Sequence, residues 1–501
     1  MNIKRVNPLT DNYYNILAML MTHDSLVRFD PDFRVVPQLA ESWSCREGGR
    51  IWKFKLVSDA KWHDGHPVTP EDIGFTFRYL AKHNVSSGWI SDLIENIGIN
   101  GREVIFTLKK PHSRFLIDAG FSVRILPRHI WEKIEDPQRA VGRENTVGCG
   151  PYIFDSFDRK ANRIYFDVND EYFGVIPLVD RIEFRIYQNM DVLTLELLEE
   201  KIDLYYKYAS GYPVQYLGRL RKDRNLRLVE ADSAGVPAAL GFNLTHKPLD
   251  RKGVRKAVSS AINYERINRC LFEGKGEVPG TGFVPPVFPF RMELPGLRYD
   301  PEESKRLLSS EGLLDRNEDG TLDFPDGKEL SLNLLGRTDL WGEEQLVRLL
   351  AHDLKEVGIH VKIQLADLST WIALLQDDRH DLVLFRTTPW GMMMHAGYAS
   401  GYFDSRRKGG GIIGNLTDPD FHAICDRILT TTEPSILEDL FHELQTYYAD
   451  YLPAVALCWN KNIYPFNKNR QGLQVHQLEG GLANRFSWRT LSFEKSAGSR
   501  E

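Results

Sequence analysis

The stretch Trp62-His63-Asp64-Gly65-His66-Pro67-Val68-Thr69-Pro70-Glu71-Asp72 decides how this 501-residue chain is read. Before it, Trp52 to Leu56 reads as a strand, and Asp64-Gly65 is a turn pair. After it, a helix is entered at Thr69. Threonine is a good N-cap because its hydroxyl can accept a hydrogen bond from an otherwise unpaired N–H of the first turn. Pro70 suits the first helical position, where no N–H is needed. Asp72 falls three residues after the cap, where a carboxylate can reach back as in a capping box. Nothing in the stretch is chemically reactive, so it speaks of architecture.

Composition narrows the class. A chain of 501 residues with 42% apolar side chains fills several cores and predicts two to four domains. The net charge of -6 is spread along the chain, with no basic block for nucleic acid and no acidic tail. The apolar runs are far shorter than the roughly 18 residues a membrane helix requires. Cys45, Cys149, Cys270, Cys425 and Cys458 are odd in number and scattered, with no C-x-x-C spacing, which argues against a zinc site or a disulfide framework. Met1 to Arg5 is basic, but Val6 to Tyr14 is polar and holds a proline, so no signal-peptide core follows. The chain is read as a mature or truncated form without its export signal; a cytosolic protein is the alternative.

Helical and strand patterns alternate throughout, which predicts an α/β architecture. From Trp341 to Leu384, Leu346, Leu349, Leu350 and Leu354 recur at helical spacing, and Gly358 ends the helix. Val361, Ile363 and Leu365 then alternate as a strand, Thr370 to Gln376 reads as a second helix, and Asp381 to Phe385 as a buried strand. This is a βαβ layout with room for a parallel sheet.

The opening stretch, continued through Phe75 and Phe77, resembles the signature of the extracellular solute-binding proteins that serve dipeptide, oligopeptide and nickel transporters. Gly148-Cys149-Gly150-Pro151-Tyr152 is similar to a second family motif, with Cys where Thr is usual, and Ala239 to Leu244 followed by Val254 to Val258 to a third. The resemblance implies a two-lobed periplasmic binding protein fold (type II, cluster C), with two crossing hinge strands and an extra subdomain in the first lobe. It divides the chain into a first-lobe core (1–32, 151–240 and 465–501), the extra subdomain (33–150) and a second lobe (241–464). Two crossings make a hinge, so the lobes can close on a ligand.

By the same resemblance the chain is the monomeric, periplasmic or extracellular binding component of an importer, with an inner-membrane ABC permease as its partner. It needs no cofactor. The favoured ligand is a nickel-type metal held by a small carboxylate chelator such as histidine or an opine metallophore. A dipeptide or oligopeptide is the alternative, and an enzyme on the same fold a remote one. Arg124, in Phe121 to His129, lines up with an arginine that pairs with ligand carboxylates, a role suited to the bidentate guanidinium fork. A strand cap or surface ion pair would read the same way. Trp89 and Trp390 are expected to offer flat faces from the two lobes, Arg386 a second carboxylate contact, and Tyr14 a wall from the first loop. His476 and His395 are the expected metal donors, each of which packing or surface exposure would also explain.

One departure matters. Peptide-binding relatives carry an acid soon after the Trp-Gly pair, to meet the α-ammonium group. Here Met392-Met393-Met394-His395 follows, with no acid until Asp404. An unpaired buried ammonium is costly, which weakens the peptide reading; the segment departs equally from the P-Y-D-P-H common in nickel-chelate binders.

Enzyme motifs are absent: there is no G-x-S-x-G elbow, P-loop or Rossmann fingerprint, and His442-Glu443 lacks the second histidine of a zinc protease helix. Asp315, Asn317, Asp319 and Asp323, with Gly320 at the sharp turn, match most of a calcium loop, but Asp326 stands where Glu is usual. An Asx-rich turn is the simpler reading, and calcium there would be structural.

Overall fold

A computed structural model describes residues 6–85, 88–208, 210–288, 290–340, 342–388, 403–406 and 416–493, leaving aside the side chains of residues 12, 13, 89 and 493. Strand Ile51–Leu56 leads through the turn, with Gly65 at φ +88°, into helix Pro70–His83. Asp72 caps this helix as expected. One carboxylate oxygen accepts the Thr69 N–H (2.8 Å) and hydroxyl (2.9 Å). The other accepts the N–H of Arg128 (2.9 Å) at the start of a second short helix, Arg128–Trp131. The helix packs Ile73, Phe77 and Leu80 against an antiparallel four-stranded sheet in the order Ala40–Arg46, Ile51–Leu56, Glu103–Leu108, Ile94–Asn100.

A second body is an antiparallel three-stranded sheet, Tyr152–Asp158, Arg163–Val168 and Arg181–Arg185, against which helix Asn12–Met21 packs. The helix is tied to the C-terminal segment by a buried ion network. Arg485 pairs with Asp24 and donates to the carbonyls of Leu20 (2.7 Å), Met19 (2.6 Å) and His23 (2.8 Å). Arg28 pairs with Glu479, and Gln38 and Tyr172 donate to the second oxygen of Asp24. All four ions are almost wholly buried, so each has exchanged water for fixed partners.

The third body is a mixed five-stranded sheet, ordered His360–Ala366, Ser331–Arg337, Leu382–Phe385, Ala239–Phe242, Ala454–Ala456. The expected βαβ unit is present: Ser331–Arg337 runs parallel to His360–Ala366, joined by helix Glu343–Lys355 and terminated at Gly358, φ +83°. Helix Leu368–Gln376 then leads back to Leu382–Phe385, parallel to Ser331–Arg337. Leu346, Val347, Leu350 and Leu354 pack on the sheet.

Two chain segments join this body to the rest, side by side. The ribbon Leu226–Asp232 and Lys461–Asn467 is antiparallel, and the chain continues from it through residues 233–238 and 457–460 into the five-stranded sheet. Ser233 N–H donates to Asn460 O (3.2 Å) and Leu457 N–H to Ala238 O (2.9 Å). The five cysteines are free thiols. No helix among the described residues is long and apolar enough to cross a membrane.

Candidate functional site: a cleft between two lobes

The paired segments form the floor of a cleft of about 1100 Å³. One wall is strand Arg181–Arg185 and the segment 201–213, rich in tyrosine; the other carries Arg337, Glu343, Trp371 and Arg386 from the five-stranded sheet and its helices. Thr387 fastens this wall to the floor, accepting the Val236 N–H (2.7 Å) and donating its own N–H to Val236 O (3.0 Å).

Charge is concentrated at the centre. Arg337 ends its strand and grips Asp339 with two hydrogen bonds, Nε–Oδ1 at 3.0 Å and Nη2–Oδ2 at 2.5 Å. Its guanidinium lies 6.0 Å from the Trp371 ring. Glu343, with its side chain 3% exposed, accepts the Arg337 N–H (2.8 Å), and its other oxygen is 3.9 Å from Nε of Arg386. Burial pushes the Glu343 carboxyl above its ordinary range, against the pull of Arg386 and the Arg337 N–H. Burial likewise pulls the Arg386 guanidinium down, opposed by Glu343.

Lys207 faces this group from the opposite wall. It is open to solvent in the cleft yet enclosed by both lobes, and its ammonium is pulled below the usual range by that enclosure and then by Arg386. Three cations therefore converge on two carboxylates across the gap. Arrangements of this kind draw in an anion, because a carboxylate placed among them relieves cation repulsion in a partly desolvated setting.

Of the expected residues, Arg386 lines the cleft. Arg124 is buried (7% exposed), close to Arg28, Arg485 and to Tyr208, and Tyr208 itself lines the cleft. Burial pulls the Arg124 guanidinium down to about 10, with Tyr208 opposing and the two arginines adding. Arg124 stands behind the wall and is not part of its surface.

Beside Arg124, two further expectations need correction. Tyr14 lies in a helix and not in the first loop; it is 0% exposed, edge-on to Phe154 in a core, while Ile16 and Leu17 of the same helix reach the cleft. Tyr14 and Leu17 are three apart on one face of this helix, and both sit in that core, with Leu17 at its edge toward the cleft. His476 does not reach the cleft either. It is buried, its Nε2 lies 3.0 Å from Phe29 O, and its ring packs on Phe486, so the imidazole is used by the fold.

Trp89 sits in the turn Gly88–Leu93, with its side chain outside the described residues; Trp390 and His395 lie outside them entirely. In the calcium-like loop, Asp315 accepts the Gly320 N–H (2.9 Å), Asp319 the Thr321 N–H (2.8 Å), and Asp323 the Arg316 N–H (3.1 Å). These are the bonds of an Asx-rich turn.

A family model of the bacterial extracellular solute-binding proteins, family 5, matches residues 34–409, well over half the chain. The chain belongs to this family. The oligopeptide-binding protein AppA of Bacillus subtilis is 28% identical over 71% of this chain and 65% of that protein. In solved structures, the family-5 protein is similar to NikZ of Campylobacter jejuni in complex with Ni(L-His), at 22% identity, TM-score 0.81, covering 98% of both chains. It is also similar to NikA of Brucella suis in complex with Fe(III)-EDTA, at 20% identity, TM-score 0.83, again covering 98% of both. At these identities the structures speak for the two-lobed α/β fold. The chain is thus a solute-binding protein of the ABC-importer type, with peptide and metal-chelate binders both among its neighbours.

Proposed function

We propose that the chain captures a small carboxylate-bearing solute outside the cytoplasm, closes its two lobes on it and delivers it to an ATP-driven permease. The observation that carries this is the convergence of Lys207 on one wall with Arg337 and Arg386 on the other. A carboxylate held by both walls joins them, so binding and closure become one event.

Within that class the favoured ligand is a nickel-type ion wrapped by a carboxylate-rich chelator such as histidine or an opine. His476 is committed to Phe29, so the complex would be recognised through its chelator's carboxylates. His395 would be the donor to examine from the segment beyond Trp390, and the two tryptophans Trp89 and Trp390 the flat faces. NikZ with Ni(L-His) and NikA with Fe(III)-EDTA show that this fold accommodates metal chelates, as AppA in complex with a nonapeptide shows for peptides.

A specific observation also favours a peptide. Asp339 and Glu343 line the cleft beside the arginines and supply the acid that the segment after Trp390 lacks. An α-ammonium at Asp339 and a carboxylate at Arg386 or Lys207 would make a complementary pair. Native mass spectrometry of the protein purified without denaturation distinguishes the two: a bound mass containing nickel supports the chelate, and a ladder of peptide masses supports the second reading.

A further inference from the structure

The opening turn places two imidazoles and a carboxylate together outside the cleft. His129 Nε2 lies 2.7 Å from Asp64 Oδ2, and His66 Nδ1 lies 3.2 Å from Asp64 Oδ1. The donor atoms of the three residues all lie within 4.8 Å of one another. The two rings are stacked, with centroids 4.3 Å apart and planes inclined by 30°. None of the three lines the cleft.

Their supports are tied to each other by hydrogen bonds. The turn is closed by Trp62 N–H to His66 O (2.7 Å) and Gly65 N–H to Trp62 O (2.8 Å), with Gly65 at φ +88°, where a side chain would be strained. His129 follows Arg128, whose N–H is held by Asp72. Asp72 thus fixes the helix that leaves the turn and the helix that carries His129. Donors on pre-set backbones lose little freedom when they converge on an ion.

From this geometry we infer that Asp64, His66 and His129 form a binding site for a borderline divalent ion of the zinc, nickel or copper type. Around a tetrahedral ion with bonds of about 2.0–2.2 Å, neighbouring donor atoms sit about 3.4 Å apart; the donor atoms here, all within 4.8 Å of one another, reach that spacing with small side-chain adjustments. Two imidazole nitrogens and one carboxylate oxygen are the donor set such ions prefer, whereas calcium and magnesium favour oxygen. The side chains are 30%, 61% and 31% exposed, so an ion has an entry path and keeps at least one position for water. Binding replaces each direct Asp–His contact and clips the turn to the second helix. The site is independent of the ligand in the cleft.

The test uses the full chain, stripped with a chelator, and Zn²⁺ alone as the probe. Calorimetry and native mass spectrometry should show one Zn²⁺ bound, and the melting temperature should rise with Zn²⁺ because the ion binds the folded state. His66→Gln and His129→Gln should each weaken binding by more than about tenfold, as loss of a direct ligand exceeds the 10–100-fold typical of outer-sphere changes. Circular dichroism of the metal-free variants checks that they fold, and Asp64→Asn provides a third variant. Arg386→Ala should bind Zn²⁺ as the wild type does, which separates this site from metal carried into the cleft. Absence of bound Zn²⁺ in the wild type overturns the inference, and so does undiminished binding in the His66→Gln/His129→Gln double variant.

Discussion

Asp72 holds Arg128 across 56 residues of chain: its Oδ1 accepts the Arg128 N–H at 2.9 Å while Oδ2 caps its own helix at Thr69. One buried carboxylate therefore sits at the N-termini of two helices, where unpaired N–H groups and the helix dipoles favour negative charge. Replacing Asp72 with Ala leaves these donors unpaired in a partly buried place. The expected cost is roughly 2–4 kcal/mol, since hydrogen bonds to a charged group contribute about 1.5–3 kcal/mol each and are only partly replaced by water. Urea denaturation of Asp72→Ala against wild type checks this, and a loss under about 0.5 kcal/mol, the range of ordinary surface changes, contradicts it.

Arg485 is the anchor between the C-terminal segment and the first helix. Arg485→Leu leaves Asp24 buried without its main counter-charge. Breaking a buried pair on one side costs about 3–5 kcal/mol, so this variant should be among the least stable single substitutions in the chain. Thermal melting with and without the substitution provides the measurement.

Stability should fall in mild acid. Burial holds the His63 imidazole down to about 4 and His23 down to about 3, the latter helped by His63 and by Arg124. The unfolded chain binds these protons near pH 6.5, whereas the folded chain does not, so unfolding takes up protons below that pH. Stability is unaffected by these groups above about pH 6.5 and declines below it, His63 contributing down to about pH 4 and His23 down to about pH 3. Denaturation midpoints across this window test the slope. His63→Gln, which keeps a neutral hydrogen-bonding side chain, should flatten part of it.

The alternation of helix and strand, the βαβ unit around Gly358 and the capped helix at Thr69 were legible because each is a local pattern. The second bond of Asp72, to Arg128, is not local and needed the fold. The cleft was harder for the same reason. Arg386 is recognisable beside a buried strand, but Arg337, Asp339 and Glu343 lie in a segment without a motif, and Lys207 meets them only when the lobes are placed. Tyr14 and His476 are residue types that serve a core as readily as a ligand, and here their surroundings are apolar rings and a carbonyl. Two strands and a long helix separate His66 from His129 in sequence, so the turn motif alone gave no hint of their stacking.

If a carboxylate bridges the walls, both should matter. Arg386→Ala and Lys207→Ala are each expected to weaken solute binding about ten- to a hundredfold, corresponding to about 1.5–3 kcal/mol for a charged hydrogen bond. Lys207→Ala should change the melting temperature of the ligand-free protein little, because Lys207 is solvent-reachable, whereas Arg386→Ala should lower it by leaving the buried Glu343 without its counter-charge.

The most direct measurement is calorimetry of the wild type, Arg386→Ala and Lys207→Ala with nickel plus histidine, nickel alone, and a mixture of short peptides. The account predicts binding of a carboxylate-bearing solute by the wild type, with nickel bound in the cleft only when its chelator is present, and marked loss in both variants. Tight binding that is unchanged in Arg386→Ala and Lys207→Ala would contradict it, because the carboxylate would then not be held between the two walls.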